Sequence, residues 1–583
     1  MSARFELNGP VRIAVVIVTY NNRDDICDLL TSLRAAAHDR EMRVVVADND
    51  SQDGTPEVAG EAEDVVVVRT GGNLGYAGGI NAAVAYAGEY EALLVLNPDL
   101  RIDSPAIEVL WRTLCQTGAG IVAPRIVDST GRAVESVFRE PSVLRSLGDA
   151  LLGPIWSQRP SMLSERVRGD CIPTSRSTVD WVSGAALLIS ADAMEAVGEW
   201  DERFFLYSEE TDYCRRARDR GFTVMFEPAA VVMHRQGGSG TSAELAALQA
   251  VNRVRYVRKH SRSDAWGYRM TVIVGELLRH RRGRSHSVAS RYLRDQRMWS
   301  RLPRATWHGE PDSGAASIVI PAHNEAAVMA RTLASLAEPI ACGAVEVIVS
   351  CNGCADNTAD IARGYGAIVI ESQVASKPMA LNAADQIANA WPRIYLDADI
   401  ELPSAAIPAL LRALREDHVL AGRPPFEYDT VGATFVVKAY YRARQRIPEL
   451  SSELWGAGVY ALTAAGHAKS GPFPALTADD LYVNSVFARS ERSIPPTVPV
   501  RVRTPRHAKP LIGVLRRARR GAAEQGVDTG RGTFTALRRT ALSVSSLVDA
   551  AIYAGFAIIA RAHAGHRSDA SRDVVWERDD SSR

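Results

Sequence analysis

The chain has 583 residues, 46% of them hydrophobic and 23% charged, a globular composition too long for one hydrophobic core. Its 68 basic and 68 acidic side chains cancel, so the overall balance points to neither a nucleic acid nor an acidic partner. Seven cysteines, an odd number without framework spacing, suit a reducing compartment rather than a secreted scaffold.

The polar start MSARFELNGP reads as no signal peptide and leads straight into an apolar run. VRIAVVIVTYNNRDDICDLLTSL, Val11 to Leu33, is that run, then a polar turn with Asn21, then apolar residues three and four apart: strand, turn, helix. RVVVADNDSQDGT repeats the pattern around Asp48. The glycines of GGNLGYAGG permit close approach of backbone to a ligand, or form a plain loop. ALLVLNPDLRI ends a buried strand at Asn97-Pro98-Asp99, and Trp181 opens WVSGAALLISADAMEAVG. LYSEETDYCRRA carries Glu209, Glu210 and Asp212, and His234 stands before a glycine-rich stretch in VVMHRQGGSG.

From about Thr241 to Gly314 the chain is basic, with few acids, and reads as a helical linker: a solvated face, or one attracted to anionic headgroups or a phosphate-bearing acceptor. The first pattern then returns in the same order. GAASIVIPAHNEAAVMARTLASL answers Val11 to Leu33, VEVIVSCNGCADNT answers RVVVADNDSQDGT, PRIYLDADIEL answers ALLVLNPDLRI, WGAGVYALTAAGHAKSG answers the Trp181 segment, and ALTADDLYVNSV answers LYSEETDYCRRA. The first copy is longer between Asp99 and Glu210, with the extra chain around Phe138 to Arg176. Cys351 and Cys354, a lone C-x-x-C, read as a small-residue turn more readily than as a zinc or redox site. Near the end, Ala541 to Ala562 is about long enough to cross a bilayer but carries Asp549 near its middle. It reads first as a membrane-surface helix, with a docked helix and a span as alternatives.

Strands alternating with helices imply a mainly parallel α/β sheet in each copy, with ligands beyond the carboxyl ends of the strands. In Asp397-Ala398-Asp399, read as the end of a strand, residues two apart project the same way, so both carboxylates offer hard oxygen to Mg²⁺ or Mn²⁺. Alone, such a pair is also an ordinary exposed strand end. Acids at a helix start equally suit its dipole, and a tryptophan before a small-residue turn equally suits a core.

Taken together, TYNN, DNDSQDGT, GGNLGYAGGINAAV, NPD, W-x-x-G and FFLYSEETDYCRRARDRGF resemble the inverting family 2 glycosyltransferases of the GT-A fold, over about Arg12 to Gly240. The first copy is most similar to their rhamnosyltransferase and galactofuranosyltransferase branch. IVIPAHNE, KPMALNAAD, LDAD, WGAG and TADDLYV resemble the same superfamily from about Ser317 to Arg506. The resemblance implies an α/β chain of two tandem, Rossmann-like GT-A domains, 1–245 and 314–510, joined by the helical linker 246–313 and followed by a tail, 511–583, with an apolar or amphipathic helix.

It further implies that Thr19, Tyr20, Asn21, Asp48, Asn73, Gly75 and Asn81 in the first copy bind a nucleotide sugar. Pro321, Ala322, Asn324, Lys377 and Asn382 would do so in the second, where Cys351 departs from the nucleoside-binding aspartate. Asp99, His234, Asp397 and Asp399 become metal ligands for Mn²⁺ or Mg²⁺. Glu210 and Asp480 become the catalytic bases, supported by Glu209, Asp212 and Asp479, with Trp181 and Trp455 stacking on acceptor sugars. The implied partners are nucleotide-diphospho-sugars, a glycan or lipid-linked acceptor and an anionic membrane surface, at the cytoplasmic face of the cell membrane. One catalytic copy beside a binding module is the alternative; a sugar nucleotidyltransferase fits less well, because the first turns lack its basic glycine-rich loop.

Overall fold

The first apolar run is a strand, Val11–Thr19, buried along nearly its whole length because it lies mid-sheet with parallel neighbours on both sides. In the computed structural model the chain forms two compact units, Met1–Thr306 and Trp307–Arg583. The structure describes residues 4–37, 40–153, 156, 159–235, 242–280, 283–309, 316–447, 450, 452–476, 478–526 and 544–562.

Across the main sheet of the first unit the order is Val65–Arg69, Met42–Asp48, Val11–Thr19, Tyr90–Leu96, Ala186–Ser190, Ile121–Val127, Val224–His234 and Leu100–Ile102. The first four strands are parallel, and Ala186–Ser190 runs against both its neighbours. Helices cover both faces. Ile26, Leu29 and Leu33 pack on Ile13, Val15 and Ile17, while Ala77, Ile80 and Tyr213 pack on Val16 and Val45. Each fully buried Leu or Ile contributes about 1.5–3 kcal/mol, which holds the strand ends Thr19, Asp48 and Leu96 at one common edge.

The second unit retraces this path: Ile368–Ser372, Val345–Asn352, Ala316–Ala322 and Arg393–Leu396 in parallel, then antiparallel Val459–Leu462, then Ala421–Gly422 and Arg492–Ser493. The duplication expected from the sequence is present as two like sheets.

Two expectations change. Helices Ala243–His260, Ala265–Arg279 and Arg284–Arg294 are not a separate linker, and the first unit runs to Thr306 rather than 245. They bury Leu248, Val251, Tyr268 and Leu293 around Phe204 and Phe205. Their cations meet acids of the same unit, Arg253 at Glu165 (2.6 Å) and Lys259 at Asp201 (2.7 Å). The second change is the C-terminal helix, Val544–Ala562, which docks on the second unit. Asp549, the charge that spoke against a span, is buried and ion-paired with Arg442 (2.6 Å) and Arg446 (2.8 Å), while Tyr553 stacks on Tyr440. Among the described residues no helix is long and apolar enough to cross a membrane.

Candidate active site

In the first unit, Asp48 ends its strand buried beside Thr19. Thr19 Oγ1 donates to Asp48 Oδ1 (2.9 Å), Ser51 donates from its amide to Oδ2 (3.0 Å), and Ser51 Oγ donates to Oδ1 (2.5 Å). Thr19 therefore orients Asp48 from behind, while Tyr20 is exposed at the rim. Asn21 holds a left-handed backbone (φ 57°): its amide donates to Ser51 Oγ and its side chain accepts from the Gln52 amide.

The second unit builds the same turn from different atoms. Pro321 and Ala322 end the buried central strand, and Asn324 is again left-handed (φ 49°). Its amide now donates to Cys354 Sγ (3.2 Å). Cys351 and Cys354 thus replace Asp48 and Ser51, and burial followed by the neighbouring Cys354 pushes the Cys351 thiol up to about 12. A carboxyl–hydroxyl pair in one unit is a pair of thiols in the other.

In the glycine-rich turn, Asn73 Oδ1 accepts from the Gly75 amide (3.0 Å). Gly75 has φ 77°, and a Cβ there would lie 2.2 Å from the Phe205 carbonyl oxygen, so only glycine lets the two loops touch. Asn81 is turned away from this edge. Its amide donates to the carbonyl of Trp200 (2.9 Å) and its oxygen accepts from the amide of Trp200 (2.9 Å). Asn382 does the same with Phe473, at 3.0 and 2.8 Å. Both side chains, expected at the sugar nucleotide, are used as staples across the fold, because each meets a backbone N–H and C=O that need partners.

The acidic clusters lie at the start of helices Glu209–Asp219 and Asp479–Val486. Burial, followed by the charge of Glu210, drives the Glu209 carboxyl well above its ordinary value, and its Oε2 has no hydrogen-bond partner. Burial pushes Glu210 up to about 7. Burial and then Asp479 push Asp480 up to about 6, although Asp480 Oδ2 accepts from the Gly456 amide (3.0 Å). The sequence reading missed Tyr76, whose hydroxyl donates to the Gly184 carbonyl (2.9 Å). Burial and then Glu209, Glu210 and Asp99 raise its phenol, so these four groups share one neighbourhood.

Asp212, expected to support catalysis, is buried on the far side of its helix turn. Lys259, His260 (2.7 Å) and Arg216 (2.8 Å) all reach it. Burial would raise its carboxyl, but the His260 hydrogen bond and the Lys259 and Arg216 charges win and hold it below its ordinary range. It anchors helix Ala243–His260 rather than serving the site.

The two metal-ligand candidates of the first unit do meet: His234 Nε2 lies 3.0 Å from Asp99 Oδ1. Oxygen and imidazole nitrogen together suit Mn²⁺ or Mg²⁺ with water and phosphate oxygens completing the shell. Among the described residues no group of three or more His, Cys, Asp or Glu could hold a metal unaided. In the second unit the strand stops at Leu396, so Asp397 and Asp399 lie in a turn where alternation no longer applies. Asp397 lines the cleft with Lys377, Tyr460, Asp479 and Asp480, whereas Asp399 is exposed. Lys377 Nζ bridges Asp397 Oδ1 and Asp479 Oδ1, each at 2.7 Å, and Tyr460 donates to Asp479 (2.9 Å). A cation there would share Asp397 with an ammonium. Trp181 stacks on Phe138 (4.1 Å) and donates to the Arg139 carbonyl, and Trp455 lies under Arg444.

The profile of Glycosyl transferase family 2 matches residues 14–160 and 317–461, one stretch in each unit. The chain belongs to that family, and it is a glycosyltransferase. It is 31% identical over 266 residues to an N-acetylglucosaminyl-diphospho-decaprenol L-rhamnosyltransferase of Mycobacterium tuberculosis, covering 44% of this chain and 86% of that one. It is 31% identical over 218 residues to the low-salt glycan biosynthesis hexosyltransferase Agl10 of Haloferax volcanii, 36% of this chain and 63% of that protein. Rhamnosyltransferase WbbL of Escherichia coli is 23% identical over 234 residues, 38% and 83% of the two chains. A solved structure of GalNAc-T7 with UDP, GalNAc and Mn²⁺ overlies 43% of this chain and 48% of its own at 15% identity, with a TM-score of 0.32.

Proposed function

We propose that both units are inverting glycosyltransferases working in one chain. The first would move rhamnose from a nucleotide-diphosphate donor to a glycan or lipid-linked acceptor, and the second a sugar from a different donor, in the building of a cell-surface glycan at the inner membrane face. The observation that carries this is the paired acidic cluster: each unit holds a buried carboxyl and a half-buried one side by side at a helix start, with the second raised to about 7 in Glu210 and about 6 in Asp480. A base needs its carboxylate poised near working pH to accept a proton efficiently.

In each site the acceptor hydroxyl attacks the anomeric carbon, the bond to the diphosphate breaks, and the hydroxyl proton passes to Glu210 or Asp480. Asp48 accepts hydrogen bonds from the nucleoside in the first unit, and Lys377 faces the diphosphate in the second. Asp99 with His234, and Asp397 with Asp399, would hold a divalent cation, which neutralises charge on a diphosphate leaving group. The names of the relatives, three of them transferases of rhamnose or hexose, support the donor class.

The Cys351–Cys354 pair favours a second reading, in which the second unit binds without turning over. Nucleotide release from a panel of sugar nucleotides, with Mn²⁺ or Mg²⁺, separates the two. We expect Glu210→Ala and Asp480→Ala each to abolish a different donor activity. Loss of all activity with Glu210→Ala and none with Asp480→Ala would make the second unit a binding module.

A further inference from the structure

The extra chain of the first unit supplies one half of an apolar surface. Helix Val143–Leu151 lies beside helix Ala265–Arg279, running in the same direction: Ser146 Oγ accepts from Thr271 Oγ1 (2.8 Å), and a Cβ on Gly275 would sit 3.3 Å from that of Ala150. Leu144, Leu147 and Leu151 stand one position after Val143, Ser146 and Ala150, and on the second helix Trp266 and Val274 stand one position before Gly267 and Gly275, with Leu278 a turn further on. Both sets turn to the same side of the pair. Trp266 is 72% exposed, Leu278 58% and Leu144 50%, so six large apolar side chains form one uncovered face.

The charge around it leans basic, although Asp264, which accepts from Ser261, is exposed two residues before Trp266. Each helix carries a single acid, and both are engaged: Asp149 with Arg159 and Ser164, Glu276 with Arg279 and His286. His280 is exposed just after the second helix, and Arg284 is exposed where the next helix, Arg284–Arg294, begins. Five residues before Val143, Phe138 stacks on Trp181, which stands three residues before Gly184 beside Glu210.

We infer that this helix pair is the surface by which the first unit lies on an anionic lipid bilayer, with the apolar face in the headgroup–acyl boundary and the basic edge against the headgroups. A second copy is the poorer occupant, because a two-fold contact would set this basic edge against itself. The inference rests on the lipid-facing acceptor proposed above and deepens it, since it sets the membrane on the side of Trp181.

The test is flotation of the full-length chain with vesicles of phosphatidylcholine alone or mixed with phosphatidylglycerol. The wild type should bind the anionic vesicles, and less so as salt rises. L147E/L278E should bind at least about tenfold more weakly, with unchanged thermal unfolding. L151S/W266S, which adds no charge, should be weakened in the same direction. Undiminished binding by both variants, absence of wild-type binding, or equal binding to neutral vesicles would each overturn the inference. So would a loss of self-association in sedimentation without a loss of vesicle binding. Nucleotide release with a water-soluble acceptor, read on the same preparations, reports the glycosyltransferase proposal separately, because these residues lie outside the acidic cluster.

Discussion

A carboxyl that is to take a proton near neutral pH has to be made reluctant to lose one, and burial does this for Glu210 and Asp480. The base works ionised, so its reaction fails as pH drops through its folded value. We expect the first activity to halve near pH 7 and the second near pH 6, read as kcat/KM against pH with each donor. Stability runs the other way. A carboxyl raised on folding favours the fold at low pH, and that contribution is lost as pH rises from its ordinary value through about 7 for Glu210. Glu210→Gln should therefore stabilise the first unit at pH 8, by about 2 kcal/mol, while lowering kcat by about 10²–10⁴-fold. Asp212 makes the opposite case. Asp212→Ala leaves Arg216 without its carboxylate and Lys259 with Asp201 alone, around a buried gap, at a cost of about 3 kcal/mol. Thermal unfolding should fall sharply, with catalysis by the surviving folded fraction little changed.

Elements differ in how much of them could be read from the sequence. The parallel strands were plain, because runs such as VVIVT and SIVI have no polar face to turn outward and must be central. The acidic helix starts were equally plain. The segment leading into Glu209 was not: Phe205, Tyr207 and Ser208 all have positive φ, a conformation side chains other than glycine seldom adopt. Asn252, on the helix read as linker, holds that turn by donating to the carbonyls of Phe204 (2.6 Å), Leu206 (2.7 Å) and Tyr207 (3.2 Å). No local spacing could disclose a partner that far along the chain. The same distance hid Tyr76 and the staples of Asn81 and Asn382, and because the strand ends at Leu396, Asp397 and Asp399 do not share a strand face as the sequence pattern implied. We expect Asn252→Ala to relax the turn, lowering kcat of the first activity about 10- to 100-fold with KM for the donor little altered, and the second activity untouched. Equal losses in both activities would point to general unfolding instead.

At the scale of the whole molecule, the two units keep one scaffold and vary its contents. The sheet order is shared, the asparagine staple is shared, and so is the left-handed asparagine after the first strand. The donor-side turn is where they part. Asn21 and Asn324 grip position 51 and position 354 through the same amide, yet the gripped atom is oxygen in one unit and sulfur in the other. Four residues, Asp48 to Ser51 against Cys351 to Cys354, therefore sit in interchangeable frames. The chain contains its own pair of cassettes, and exchanging them would ask which sugar nucleotide each frame prefers without importing a residue from any other protein.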